Sequence, residues 1–306
     1  MTIPVRVQGV SKRFGRVEAL RDVSFDLPEG ETIALVGHNG AGKTTLMKLM
    51  LGLIRPSAGR VEVMGEDPAA GEFSARRRLG YLPENVAFNA ALTGYETLAF
   101  YARLKREPAS RLRPLLDRVG LGHAADRRVS TYSKGMRQRL GLAQALLGEP
   151  RVMLLDEPTT GLDPALRLSF YDIVEDLRGQ GATVLLSSHA LTELEERAGR
   201  VIIMNRGLKV ADGTLDELRT IARLPIRIRA QIAEPRLSEL PDWMGPDQGW
   251  RRVNGRTMEI DARPDQKITL LRRMTAQGLP VEDIDVTPPT LDDLYAHFLR
   301  AHEPAR

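Results

Sequence analysis

The stretch Val36-Gly37-His38-Asn39-Gly40-Ala41-Gly42-Lys43-Thr44-Thr45 has the spacing Gly-x4-Gly-Lys-Thr, the pattern of a loop that cradles nucleotide phosphates. Before it, Glu31 to Val36 reads as a short strand; after it, Lys43 to Leu51 reads as a helix carrying leucines and methionines. Strand, loop and helix in that order are the context the motif requires. A loop free of bulky side chains lets successive backbone N–H groups point at the phosphates, and the helix dipole adds positive potential. Gly37, His38, Asn39, Gly40, Ala41, Gly42, Lys43, Thr44 and Thr45 are the expected ATP-binding set, with Lys43 reaching the β- and γ-phosphates and Thr44 offering a hydroxyl to Mg²⁺.

Composition narrows the setting. A chain of 306 residues suits one large domain or two ordinary ones. A net charge of +4 is a mild excess that gives no case for nucleic acid. With no cysteine there is no disulfide framework and no thiolate metal site, and a reducing compartment fits. The start Met1-Thr2-Ile3-Pro4-Val5-Arg6 lacks an apolar signal core, and no run approaches the roughly 20 apolar residues of a membrane span. A membrane step would need another chain.

Alternation at Val23, Phe25 and Leu27 predicts antiparallel strands before the phosphate loop. Phe14-Gly15 lies among them. Taken alone, an aromatic there reads as core packing; upstream of a phosphate loop it reads as a platform for an adenine ring. Arg60 to Met64 and Leu79 to Leu82 read as further strands, the second leading into Pro83-Glu84-Asn85. From Thr93 the pattern turns helical: Thr93-Gly94-Tyr95-Glu96 is a capping box, and helices follow to about Pro150. Thr131-Tyr132-Ser133-Lys134-Gly135-Met136 enters the last of them, with Ser133 as a cap or part of a second anion-binding terminus.

Arg151 to Glu157 is an apolar run that ends in two carboxylates, a buried parallel strand delivering acids at its C-terminal end. Asp156 is placed to hold Mg²⁺, and Glu157 to polarise the attacking water as general base. Gly161-Leu162-Asp163-Pro164 is a tight turn into a helix. Thr183 to Ser188 is the next strand, ending at His189, either a satisfied structural histidine or a γ-phosphate contact.

The order of these motifs resembles the ATP-binding cassette (ABC) ATPases over roughly residues 3 to 220. The resemblance implies a RecA-like α/β core, an antiparallel β subdomain and a helical signature subdomain at about 88–150. It implies that Ser133, Lys134, Gly135 and Met136 form the signature, contacting the γ-phosphate on a second copy so that ATP closes a head-to-tail homodimer. Asp163 then lies at the dimer seam, in the D-loop, and His189 holds the γ-phosphate. Two positions depart from the family. Lys134 replaces the first signature glycine, placing a cation near a trans phosphate or pointing to solvent. Glu84 stands where most cassettes have the Q-loop glutamine; a carboxylate can ligate Mg²⁺ but brings negative charge beside the γ-phosphate.

Tyr81 to Val86, Thr131 to Arg151, Leu224 to Ala230 and Thr290 to Tyr295 together are similar to the NosF-type ATPases. Those power NosDFY transporters, which serve maturation of the copper-sulfide centre of nitrous oxide reductase. The resemblance implies an ABC-type ATPase on the cytoplasmic face of the inner membrane, with a NosY-like permease and a periplasmic NosD-like protein as partners. The Tyr-Leu-Pro-Glu motif also occurs in ATPases of lipid, drug and polysaccharide exporters. A non-transport cassette working on DNA or ribosomes fits less well, because only 90 positions separate Lys43 from Ser133, too few for a long coiled-coil insertion.

Residues 1–222 are thus the expected nucleotide-binding domain and 223–306 a small α+β domain. In the latter, Ile226, Ile228, Ala230 and Ile232 alternate with polar residues as a half-buried strand. Asn254-Gly255 signals a hairpin between Trp250–Val253 and Arg256–Ala262. Asp265 is expected to cap a helix through Gln277, Val281 to Val286 makes a fourth strand, and Thr290 caps a last helix. A short helix at Leu237 to Met244 would complete a ferredoxin-like β-α-β-β-α-β order. His297 and His302 are five apart, about 140° around a helix, and do not share one ion.

Overall fold

The computed structural model describes residues 2–70, 74–188, 190–233, 249–276 and 281–302, which divide into two compact units, Met1–Thr214 and Leu215–Arg306. In the first unit, β1 (Val5–Phe14) pairs antiparallel with β2 (Val17–Leu27) and with β4 (Ala58–Val63). Val23, Phe25 and Leu27 of β2 turn inward, as their alternation predicts, and so do Val5, Val7 and Val10 of β1, where an irregularity in the pairing between Val7 and Val10 shifts the repeat.

The second sheet has the order β5 (Leu79–Leu82), β6 (Val152–Asp156), β7 (Thr183–Ser187), β3 (Thr32–Val36), β8 (Arg200–Asn205), β9 (Leu208–Gly213). It is parallel except for the last pair, β8 with β9. Its central strands β3, β6 and β7 are buried at every residue. This explains why they read as unbroken apolar runs rather than alternating ones. One core joins both sheets through α1 (Lys43–Met50), whose Leu46, Met47, Leu49 and Met50 are all buried.

α2 (Gly94–Lys105), α3 (Leu112–Arg118) and α4 (Lys134–Leu146) make the helical part. α2 begins with the expected capping box: Thr93 Oγ1 accepts from Glu96 N at 3.1 Å, and the Glu96 carboxylate accepts from Thr93 N at 2.8 Å. α5 (Pro164–Gly179) and α6 (Leu191–Arg197) follow β6 and β7. No helix among the described residues is long and apolar enough to cross a membrane.

The second unit starts earlier than the expected 222/223 boundary. α7 (Leu215–Ala222) packs on α9 (Leu291–Ala301), and Arg219 Nε donates to Pro289 O at 2.9 Å, so this helix belongs with the C-terminal unit. The sheet here has the order β11 (Arg251–Arg252), β12 (Thr257–Ala262), β10 (Ile226–Ile232), β13 (Val281–Thr287), with all neighbours antiparallel. That is the strand order of a ferredoxin-like sheet; the Leu237–Met244 helix expected within it lies outside the described residues. Asn254 makes the hairpin turn, its Oδ1 accepting from Arg256 N and Thr257 N, both at 2.9 Å.

Two boundary expectations are corrected. Asp265 caps nothing, because a 3₁₀ turn over Pro264–Gln266 leads into α8 (Lys267–Met274), and the proline sets that turn. The strand before the hairpin is only Arg251–Arg252. Thr290 does cap α9, in a box with Asp293, and Leu291, Leu294 and Phe298 of α9 are buried.

Candidate functional site

The loop after β3 arches from Gly37 to Gly42 and feeds directly into α1, so its amides crowd the helix N-terminus. Two of its glycines are required by space. A Cβ on Gly37 would stand 2.7 Å from Met204 O, and one on Gly42, whose φ is +106°, would stand 2.7 Å from Leu20 Cδ2. Lys43 is buried, and its Nζ donates to Gly37 O and His38 O. Burial pulls the Lys43 pKa below the usual lysine value, while nearby Glu157, Asp156 and Glu84 oppose that shift.

At the next two strand ends the carboxylates meet the loop. Thr44 Oγ1 donates to Asp156 Oδ2 at 2.8 Å, and Ser187 Oγ donates to Asp156 Oδ1 at 2.7 Å. Ser187 stands opposite Asp156 in the β6–β7 register. Its Oγ and its carbonyl both accept from Glu157 N, at 3.2 and 3.1 Å. Glu157 is 6% exposed and has φ +50°, a left-handed conformation costly for a residue with a Cβ. Tyr81 is pushed up to about 12 by burial first and then by Asp156 and Glu84, so two acids stand close to its ring. Glu84 itself is exposed.

Phe14 does not pack in the core. It is 48% exposed, with Lys12 Nζ 5.0 Å from its ring centroid. It lines an open cleft of about 670 Å³ together with Arg21, Arg206 and His38 through Thr45. The structure thus brings together Phe14, the phosphate loop, Asp156 and Glu157.

The signature segment does not line that cleft. Ser133 caps α4, its Oγ accepting from Met136 N at 3.2 Å. Lys134 is exposed, but its stem crosses Gly161: a Cβ on Gly161 would lie 3.0 Å from Lys134 Cδ. Gly135 faces the same turn, near Gly161 O and Leu162. Asp163 is exposed and caps α5, accepting from Leu166 N at 3.0 Å. Signature and Asp163 turn therefore form one surface of the protein, apart from the cleft. His189 lies outside the described residues.

Sequence reasoning missed Ser187, which sits one place before the Ser188-His189 strand exit, and the ties of the Asn205-Arg206-Gly207 turn, bracketed by the strand-like runs Val201–Met204 and Leu208–Val210, to the phosphate loop. Asn205 Oδ1 is 3.0 Å from His38 Nε2, and Gly207 N donates to Ala41 O at 3.0 Å.

The ABC transporter family profile matches residues 20–160. The chain is 35% identical to the daunorubicin resistance ATP-binding protein DrrA3 of Streptomyces coeruleorubidus, covering 96% of this chain and 95% of that protein. The chain belongs to the ABC transporter ATP-binding proteins. This ABC ATPase is also 35% identical to the uncharacterized ABC transporter ATP-binding protein YdbJ of Bacillus subtilis, over 98% of this chain and 96% of that one. Its fold matches a solved ATP-binding subunit of an ABC transporter with a TM-score of 0.68 and 33% identity, covering 72% of this chain and 93% of the other. The dimeric ATP-binding cassette MJ0796 bound to ADP and phosphate shares the fold, with a TM-score of 0.64 and 24% identity over 69% of this ABC ATPase and 98% of that chain. It is an ATP-binding subunit of an ABC transporter.

Proposed function

We propose that this ABC ATPase powers a separate membrane permease through an ATP-closed homodimer. The observation that carries the reading is the joined constellation of Thr44, Asp156, Ser187 and Glu157 at the mouth of the phosphate loop. In it, Phe14 stacks on adenine, the loop amides hold the phosphates, and the Lys43 ammonium turns from the Gly37 and His38 carbonyls to the β- and γ-phosphates. The convergent oxygens of Thr44 and Asp156 suit a hard cation, so these residues, with Glu84, would hold Mg²⁺. An ion held there would supply positive charge to the phosphates.

Glu157 accepts the proton from water as the water oxygen bonds to the γ-phosphorus and the bond to the β–γ bridging oxygen breaks, leaving ADP and phosphate. His189 is assigned to the γ-phosphate from the sequence alone. Ser133 to Met136 of a second copy complete the site from across the seam, and Asp163 lies at that seam; both stand on a surface apart from the chain's own cleft, which suits contact in trans. Phe100 and Leu104, exposed one turn apart on α2, give a permease's cytoplasmic segment an apolar footing at the membrane.

We assign the permease to a NosY-like protein working with a periplasmic NosD-like one, in copper-site maturation of nitrous oxide reductase. The support is the four-stretch resemblance to the NosF-type ATPases. Two of those stretches meet in the C-terminal unit, where Leu224, Pro225 and Arg227 line one cleft with Thr290 and Asp293. A second reading, export of a drug-like compound, is favoured by the match to a daunorubicin resistance protein across both units. Tagged Glu157→Gln, extracted from native membranes with ATP and Mg²⁺, separates them by mass spectrometry of the co-purifying chains. A permease with a periplasmic copper-site protein supports the maturation reading. Another exporter's permease overturns the pathway, and ribosomal or DNA-bound partners without a permease overturn transport.

A further inference from the structure

Between β8 and β9 the chain reverses in two residues, Arg206 and Gly207, with Asn205 paired to Leu208 across the base. Both turn residues have positive φ, 48° and 82°, as a type I′ hairpin requires, and that geometry favours Asn, Asp or Gly. Gly207 is explained by space: a Cβ there would stand 2.8 Å from Ala19 O. The turn is also tied down. Gly207 N donates to Ala41 O, Gly207 O accepts from Arg21 N at 2.9 Å, and Asn205 Oδ1 faces His38 Nε2 at 3.0 Å. It is fastened to the phosphate loop at two points and to β2 at a third.

Nothing in the fold explains Arg206. Its side chain is exposed and makes no hydrogen bond or ion pair among the described residues, yet it lines the nucleotide cleft with Phe14, Arg21 and the phosphate loop. An arginine kept left-handed where glycine would sit without strain points to work done by its side chain. A guanidinium on a turn locked to the phosphate loop is held at fixed height beside whatever that loop binds, and its fork of donors matches phosphate oxygens.

We propose that Arg206 is a further nucleotide-binding residue, contacting in cis the phosphate oxygens that ATP and ADP share. The γ-phosphate end belongs instead to the Asp156 and Glu157 strand end, and neither acid lines the part of the cleft where Arg206 stands. The inference rests on ATP binding at the loop and adds a wall supplied from outside the recognised motifs.

The test is titration calorimetry on the full chain with ADP and with adenylyl-imidodiphosphate, comparing wild type with Arg206→Gly and Arg206→Lys. Glycine removes the side chain and relieves the backbone, so Arg206→Gly is expected to unfold at the wild-type temperature or higher without nucleotide. It is expected to bind both nucleotides about tenfold more weakly, with the loss shrinking as salt rises, and Arg206→Lys to recover part of it. Affinities of Arg206→Gly within about twofold of wild type, or a loss confined to the triphosphate analogue, overturn the assignment. Failure of the wild type to bind either nucleotide would overturn the ATP reading itself, which is a separate result.

Discussion

Glu157 combines burial, a left-handed backbone and an N–H held by Ser187, a strained position at the strand end beside the phosphate loop. Replacing its carboxylate by an amide keeps shape and removes the proton acceptor. Glu157→Gln is predicted to lower ATP turnover by about 10²-fold or more while leaving the unfolding midpoint near wild type; turnover close to wild type would sink the base assignment. Asn205 acts one step away, through His38. Asn205→Ala is expected to raise the KM for ATP several-fold more than it lowers kcat. Equal loss in both kinetic constants would mean that Asn205 serves the fold alone. At this scale the sequence was legible where spacing carries chemistry: the loop glycines, Lys43, Thr44 and the acid pair. Ser187 and Asn205 were not legible, because their roles depend on which strand lies beside which, and a local pattern does not state that. Lys134 likewise was read as a solvent or trans-phosphate cation, and its packing on Gly161 needed the turn's path.

Among the elements, α2 carries a half-buried cation near its C-terminus. Lys105 Nζ donates to Leu79 O and Leu147 O at 3.1 and 2.7 Å, tying the helix to β5 and to the end of α4. Burial brings Lys105 down to about 8, with Glu107 opposing. The unfolded chain then binds more protons than the folded one between about 8 and 10.5, so stability contributed by this group rises with pH across that window and is flat below it. The gap in urea midpoint between wild type and Lys105→Met should move in favour of wild type from pH 8 to 10.5; a constant gap would show that Lys105 titrates normally. The Gly207 turn gives a second element-scale outcome. Gly207→Ala places a Cβ against a backbone oxygen at positive φ, and should destabilise by about 1–3 kcal/mol in chemical unfolding. Elements with two-sided burial or a capping box were read with nearly correct limits from sequence. Those set by a 3₁₀ turn, as at Pro264–Gln266, were not, since proline at a first turn looks the same before either kind of helix.

For the molecule as a whole, the two units differ in what holds them. The first is built around a mainly parallel sheet whose central strands are buried at every residue. The second sets one row of charges across its sheet, Arg251, Glu259, Arg229 and Asp285 in register. Hydrogen bonds from Arg229 and then Arg251 hold Glu259 down to about 2. Its contribution is complete above the unfolded value of 4.5 and is lost as pH falls from there through about 2. Wild type and Glu259→Gln should therefore converge in unfolding midpoint between pH 5 and pH 2, and a gap that stays constant would contradict the pairing. The change of pattern beyond Arg223 does not show where α7 belongs, because its packing on α9 joins residues about seventy apart. In the proposed cycle ATP draws two copies together before Glu157 breaks it down. The most direct measurement is the mass in solution of Glu157→Gln, by light scattering, with ATP and Mg²⁺ and with ADP. A dimer with ATP and a monomer with ADP is expected; a monomer in both would rule out closure by ATP.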